Sequence, residues 1–217
     1  MILLLDNAVR IPPAAAQDFA AFRRWTKSKD FPQRGEYAFL GGDLWAGISM
    51  ETLVHNQIKL RIAAVLSLMV VDPLKLGRVF SDRMRLVYEP VHLSCEPDAM
   101  FVSHASVDAG RVRWEEGRES LEVIGTPDMV LAVVSSNSIE KDTVVLRDLY
   151  AQTGIPEYWL VNPLEGQLSF DILRRSGRRY VATRKSAGWV KSAVFGKSFR
   201  LVEESGDDAP QYQLLVR

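Results

Sequence analysis

The chain has 217 residues, 47% of them hydrophobic, which is enough to bury one full core. The 27 basic residues balance the 27 acidic ones, so the net charge neither suggests nor excludes a nucleic-acid partner. Cys95 is the only cysteine, which excludes an intrachain disulfide and fits a reducing compartment. The apolar run at residues 2–5 is too short for a membrane span, so we expect a cytoplasmic protein without membrane contact.

The first half of the chain predicts helices and short strands in alternation. In chain order they are a helix over 14–27 that forms a packing arm, a hairpin of 37–40 with 44–48, a helix over 53–71, strands over 77–87 and 99–102, and a strand or turn over 121–124. Residues 103–119 are mostly polar and predict a connection. The buried stripe of the long helix is predicted to consist of Val54, Ile58, Ile62, Val65, Leu66 and Met69.

The most informative stretch covers residues 126–161. Residues 129–134 form an unbroken apolar run, which predicts a central strand buried on both faces. Residues 139–153 carry apolar side chains on one helical stripe, and Gly154 is the expected left-handed cap. A second strand follows at 156–161, and a strand-helix-strand crossover should pair the two strands in parallel.

The remaining chain alternates apolar and polar residues between glycines. This pattern predicts an antiparallel meander with strands at 167–173, 179–184, 189–194 and 199–202, followed by an acidic loop at 203–210 and a last strand or frayed tail at 211–216. We predict one domain that consists of an N-terminal arm (1–35), a core (36–165) and an antiparallel C-terminal extension (166–217).

One segment is strongly basic although the net charge of the whole chain is zero. No acidic residue lies between Ile172 and Arg200, a segment that contains Arg174, Arg178 and Lys191 among its basic residues. Such a surface suits the phosphate backbone of a nucleic acid. The alternative is a solvated hairpin, because alternation along the strands could divide these charges between two faces.

Asp98 is the first candidate for chemistry. It follows Pro97 and stands at the mouth of an apolar strand, where a carboxylate can be held rigidly while its oxygens face a cleft. Mg²⁺ prefers such oxygens, and a bound metal can activate water for phosphodiester hydrolysis. The alternative is an aspartate that only initiates a turn.

Several motifs resemble those of a known family. They are Glu96-Pro97-Asp98, Thr126-Pro127-Asp128-Met129-Val130, Lys141-Asp142 and Gly154-Ile155-Pro156-Glu157-Tyr158-Trp159-Leu160-Val161. Together they resemble the Uma-type family of bacterial restriction endonucleases, over about residues 37–201. The resemblance implies an α/β fold of the PD-(D/E)xK nuclease superfamily, with a mixed central sheet flanked by helices. It also implies DNA cleavage with a divalent metal, Mg²⁺ or Mn²⁺.

The resemblance also shows where this chain departs from the family pattern. Asp98 matches the metal-binding aspartate. The next carboxylate of the pattern is Ala132 here, and its usual lysine is Leu146. A further glutamate, after the tyrosine of the first hairpin, is Ala38. An alanine methyl group cannot bind a cation, so the two-carboxylate arrangement is incomplete.

Other residues could complete the site. Lys141 is the candidate to steady the attacking water, although a solvated lysine in a first helical turn is the alternative. Possible supporting residues are Glu36, Asp43, His55, Glu122 and Asp142. His55 could equally be an ordinary helix histidine.

Three functions follow from this reading. The first is a metal-dependent DNA endonuclease, or a degenerate descendant, in which Asp98 binds metal and Lys141 assists. The second is a non-catalytic nucleic-acid-binding protein on the same scaffold. The third is a protein-interaction or dimerisation module. The resemblance implies a homodimer, since two DNA strands need two catalytic centres.

Overall fold

The computed structural model describes residues 10–47, 51–166, 168–206 and 209–217. Its helices are α1 (Pro13–Gln17), α2 (Phe19–Thr26), α3 (Leu53–Val65), α4 (Asp72–Leu74), α5 (His104–Asp108) and α6 (Leu146–Thr153). A π-helical segment at Leu66–Val71 joins α3 to α4, and a second at Lys141–Val145 leads into α6. Within the described ranges, no helix is long and apolar enough to cross a membrane.

The strands are short and number sixteen in the part of the chain that the structure describes. They are β1 (Glu36–Leu40), β2 (Asp43–Gly47), β3 (Gly77–Ser81), β4 (Arg85–Tyr88), β5 (Leu93–Cys95), β6 (Ala99–Ser103), β7 (Val112–Arg113), β8 (Glu122–Gly125), β9 (Met129–Val133), β10 (Glu157–Asn162), β11 (Ser169–Ser176), β12 (Arg179–Ala182), β13 (Lys185–Ser186), β14 (Trp189–Lys191), β15 (Ser198–Glu204) and β16 (Gln211–Val216).

These strands form three sheets. Sheet 1 has the order β2-β1-β5-β4-β8-β7, sheet 2 the order β12-β11-β10-β9-β6-β3, and sheet 3 the order β13-β14-β15-β16. Strands β9 and β10 pair in parallel, as predicted for the crossover, and β6 pairs with β9 antiparallel. The fold is therefore the mixed α/β arrangement that the sequence predicts.

Strand β9 lies at the centre of the molecule and is buried on both faces, which confirms the prediction from its apolar run. Val130 and Ala132 face the core between sheets 1 and 2. Met129, Leu131 and Val133 face a second core, which α3 and sheet 3 complete. Alternate residues of a strand point to opposite faces, so a strand covered on both sides must be apolar throughout.

The N-terminal arm covers the outer face of sheet 1. It is not the single helix predicted over 14–27, because the backbone is extended at Asp18 and the Asp18 side chain accepts a hydrogen bond from the Ala21 N–H. An aspartate in this geometry caps a new helix, which is why α2 starts there. Phe22, Trp25 and Phe39 pack together in this third core.

The predicted strand over 77–87 is wrong in one respect. It is two strands in different sheets, β3 in sheet 2 and β4 in sheet 1. The chain turns between them at Asp82 and Arg83, both of which have positive φ angles of 26° and 64°. Neither residue is the usual choice for this conformation, so the turn depends on its surroundings.

Two further expectations need correction. Met69 does not belong to the buried stripe, because 65% of its surface is exposed and the π-helical segment shifts the register of side chains there. The polar connection over 103–119 contains α5 and β7, which cover the edge of the two sheets.

In the predicted hairpin, the strand pairing runs from Glu36 with Gly47 to Leu40 with Asp43, and Ile48 lies outside the described residues.

The strands predicted as one C-terminal meander are divided between two sheets. Strands β11 and β12 complete sheet 2, whereas β13 to β16 form sheet 3. The connection is fixed by Glu157, which is 1% exposed at the start of β10. Its carboxyl group accepts hydrogen bonds from Trp159 Nε1, Ser192 Oγ and the backbone N–H groups of Ala193 and Val194.

Replacing Glu157 with alanine should therefore destabilise the whole fold. Four donors would lose their acceptor, two of them on the buried side chains of Trp159 and Ser192, and we expect the free energy of unfolding to fall by about 3 kcal/mol or more. Urea titration followed by tryptophan fluorescence measures this change. Glu119→Ala, on an exposed turn, is the matched control and should change the value by less than about 0.5 kcal/mol. Equal effects of the two substitutions would contradict this role of Glu157.

Candidate functional site

A cleft opens where β9 ends and the chain turns towards α6. An inner pocket of about 100 Å³ adjoins an outer groove of about 510 Å³. The two share Glu36, His55, Glu96, Pro97, Asp98, Ser135 and Asn137. Asp98 thus stands at the boundary between them, beside the strand that leads to Ser135.

The backbone of β9 holds Asp98 in place. Its carboxylate Oδ2 accepts a hydrogen bond of 2.6 Å from the Val133 N–H, and its own N–H donates to the Leu131 carbonyl at 3.1 Å. The Asp98 side chain is 18% exposed. Burial raises its pKa to about 6, and the nearby His55 ring opposes that rise.

Helix α3 brings a basic pair to this carboxylate. His55 Nε2 lies 3.6 Å from Asp98 Oδ2, and Lys59 Nζ lies 3.9 Å from Asp98 Oδ1. Lys59 also contacts Glu51 and lies 3.3 Å from Asp82 Oδ1. The nearest charged partners of Asp98 are therefore cationic or protonatable groups.

Glu51, His55 and Lys59 follow one another at intervals of four residues and lie on one side of α3, with Glu51 just before the N-cap Thr52. Glu51 lies 2.7 Å from His55 Nδ1 and accepts a hydrogen bond of 2.9 Å from Asn56. Burial alone would raise the pKa of Glu51, but the hydrogen bonds from Asn56, Lys59 and His55 outweigh it and lower the pKa to about 2.

Lys141 closes the opposite side of the cleft. Its ammonium group lies 2.8 Å from Glu36 Oε2 and 3.7 Å from Asp142 Oδ1. Burial lowers the pKa of Lys141, but attraction to Asp142 and Glu36 raises it further, so the group keeps its charge. Burial raises the pKa of Asp142, against the attraction of Lys141.

The floor of the inner pocket is apolar. Ala38, Ala132 and Leu146 line it together, and each is less than 9% exposed. Tyr150 and Cys95 complete the floor, and burial raises the pKa of the Cys95 thiol to about 11, so this thiol stays protonated. The three positions at which the sequence departs from the nuclease pattern therefore meet in one pocket.

The sequence model of a family described as "Uma2: Putative restriction endonuclease" matches residues 19–199. The chain belongs to the Uma2 family. Families related to restriction endonucleases generally use a divalent cation. A search of curated proteins gave no match.

A solved structure has the same fold as this Uma2 chain. It is entitled "Crystal structure of a putative nuclease belonging to DUF820" and comes from Anabaena variabilis. The two chains share 18% sequence identity with a TM-score of 0.58, over 74% of this chain and 83% of the other. At 18% identity the likeness establishes the fold alone. The chemistry of the cleft must be inferred from the residues that line it.

The donor groups of this cleft do not fit a divalent cation. Among the described residues, no three His, Cys, Asp or Glu side chains are grouped closely enough to hold a metal ion. Each other carboxylate of the cleft already faces a basic side chain: Glu36 and Asp142 face Lys141, Glu96 contacts Arg85, and Glu51 and Asp82 face Lys59. Mg²⁺ needs several free oxygen ligands in octahedral array, and the remaining carboxylate, Asp98, has His55 at 3.6 Å and Lys59 at 3.9 Å.

Two of the predicted supporting residues lie elsewhere. Glu122 is buried on β8, where it forms ion pairs with Arg23 at 2.7 Å and Lys27 at 3.0 Å. Asp43 is exposed at the start of β2, outside the lining of the cleft. Neither can supply the carboxylate that Ala132 lacks. Glu36, His55 and Asp142 do line the inner pocket with Asp98 and Lys141.

The predicted phosphate-binding residues lie far from this cleft. Arg174 pairs across from Glu157, at the end of sheet 2 where β9 and β10 begin, and Arg178 lies in the turn that follows. The cleft lies at the other end, so strand β9 separates them by roughly 13 Å at about 3.3 Å per residue. Lys191 is exposed on β14 in sheet 3. The basic residues are thus divided between two sheets.

Sequence reasoning missed Glu51 and Lys59 as residues of the cleft. A lysine in a long helix ordinarily faces solvent, and its partners Asp82 and Asp98 are distant in the chain. The available signal was the spacing of Glu51, His55 and Lys59. It puts three ionisable groups beside the buried stripe that contains Ile58 and Ile62, where apolar residues are expected.

The low pKa of Glu51 predicts a pH-dependent contribution to stability. Its folded pKa of about 2 lies below the unfolded value of 4.5, so the contribution is full above pH 4.5 and disappears as the pH falls towards 2. After allowance for its partial exposure, Glu51→Gln should cost about 1–2 kcal/mol at pH 7 and almost nothing near pH 2. Urea unfolding of both proteins across this range measures the difference. A cost that stays constant down to pH 2 would contradict the ionic role of Glu51.

Proposed function

We propose that this Uma2 protein binds DNA on the nuclease scaffold without cleaving it by metal-dependent hydrolysis. The observation that carries this proposal is the apolar pocket floor. Ala38, Ala132 and Leu146 stand where the family pattern has two glutamates and a lysine, and all three line the same pocket as Asp98. A nuclease centre that lost only one of these groups could be repaired by a neighbour. In this pocket all three of these groups are absent.

Energetics supports the same conclusion. A cleft that binds a dication keeps carboxylates unpaired for it, because desolvating a carboxylate is costly without a partner. In this cleft each carboxylate lies beside a basic side chain, which is Lys59, Lys141 or Arg85. These basic partners offset part of the cost of burying the carboxylates without an added ion.

A metal-dependent endonuclease is the second candidate. It is favoured by the fact that Asp98 and Lys141 face the same pocket, as a working pair would require. The two candidates differ in one measurable property, which is the dependence of DNA nicking on Asp98 and a divalent metal.

A plasmid-nicking assay with Mg²⁺ or Mn²⁺ decides between them. We expect the wild type to leave supercoiled plasmid intact, at the same level as Asp98→Ala, because Ala38 and Ala132 supply no carboxylate beside Asp98 to hold a catalytic metal. The triple substitution Ala38→Glu, Ala132→Glu and Leu146→Lys tests whether the scaffold can be returned to activity. Metal-dependent nicking by the wild type that Asp98→Ala abolishes would overturn the proposal and establish the endonuclease.

The DNA-binding half of the proposal rests on the exposed arginines near the β11–β12 turn. We expect Arg174→Glu combined with Arg178→Glu to raise the Kd for duplex DNA at least tenfold at 0.1 M salt, and to lower the salt slope by about one per lost phosphate contact. Fluorescence anisotropy over a salt series measures both quantities.

The controls separate this turn from the rest of the surface. Arg61→Glu, at an exposed position of α3, makes one charge reversal of the same kind and should leave the Kd within a factor of two. Lys191→Glu tests whether sheet 3 contributes to DNA binding. Affinity that none of these substitutions changes would mean that the arginines near the turn do not contact phosphate, and would favour a protein-interaction module instead.

A further inference from the structure

Lys59 is a largely buried cation of the cleft. The residue is 9% exposed, although it belongs to a helix that faces solvent on its other side. Its ammonium group contacts Glu51 and lies 3.3 Å from Asp82 and 3.9 Å from Asp98. Three carboxylates from three separate segments of the chain therefore converge on one nitrogen.

This arrangement resembles the surroundings of a bound cation more than an ordinary surface ion pair. An exposed lysine gains little from a carboxylate, because water screens the attraction and the long side chain loses freedom. A buried ammonium group with three carboxylates needs each of them to offset the cost of its desolvation. The geometry thus places one positive charge at the point where the oxygens of Glu51, Asp82 and Asp98 meet.

Both oxygens of Asp98 have partners in this arrangement. Oδ2 accepts the Val133 N–H and faces His55, and Oδ1 faces Lys59. A divalent cation bound to Asp98 would have to approach close to the lysine ammonium, and two cations at such short range repel strongly in a partly buried site.

We propose that the Lys59 ammonium is a built-in cation that takes the place of the divalent metal at Asp98. Asp98 is then the counter-ion of a lysine. The inference goes beyond the absence of cleavage, because a nuclease scaffold could fail to cleave DNA and still bind metal. It also implies that restoring a glutamate at position 132 is not sufficient for a metal site while Lys59 is present.

Binding of Mn²⁺ alone tests the proposal, by electron paramagnetic resonance of free Mn²⁺ and by the Tm of the protein in Mn²⁺. The wild type should show no saturable site at millimolar Mn²⁺. Lys59→Met should gain one site with a Kd at least tenfold lower than any wild-type binding, and Lys59→Met combined with Asp98→Asn should lose it. Lys59→Arg keeps the charge and should behave as the wild type. Lys29→Met, in an exposed turn, is the matched control and should gain nothing.

Each other outcome bears on the proposal. Wild-type binding of Mn²⁺ that Asp98→Asn abolishes would overturn it, and would make Lys59 the lysine of a working metal site. Failure of Lys59→Met to bind Mn²⁺ would also overturn it. If Lys59→Met unfolds, recovery of its circular dichroism in Mn²⁺ supports the proposal and no recovery counts against it. Since metal binding is read without DNA, the DNA-binding result stands or fails separately.

Discussion

The hydrogen bond from the Val133 N–H to Asp98 is the contact on which the cleft depends. It ties the segment before β6 to the end of β9, the strand that both cores enclose. Because a backbone group of the central strand holds the carboxylate, its position does not require a metal or a second carboxylate beside it. The position of Asp98 is therefore fixed by the backbone and does not depend on the alanine at position 132.

Each lysine of the cleft lies among several carboxylates. Lys59 lies among Glu51, Asp82 and Asp98 on one side, and Lys141 lies between Glu36 and Asp142 on the other. Breaking one partner of a buried pair is costly, whereas an intact set is tolerated. Such a cleft favours a fixed structure over reactivity, and its apolar floor reinforces this character.

Local sequence signals predicted the elements around the cleft well. The apolar run of β9, the stripe of α6 and the left-handed Gly154 each follow from a few adjacent residues. The sheet to which each strand belongs could not be predicted from adjacent residues, because only long-range pairing decides that β3 and β4 belong to different sheets. Asp98 could be proposed from its motif, but Lys59 could not, since its role depends on residues 23 and 39 positions away. The division of the basic residues between two sheets likewise depends on strand register.

The contacts of Glu157 bear on how the polypeptide acquires this shape during synthesis. Its hydrogen-bond donors at Ser192, Ala193 and Val194 emerge from the ribosome more than thirty residues after Glu157 itself. Until they arrive, the start of β10 carries a polar group without its cover in the middle of an apolar layer. The second core, which sheet 3 completes, is thus closed late in synthesis, and proteins shortened before residue 192 lack the groups that cover Glu157.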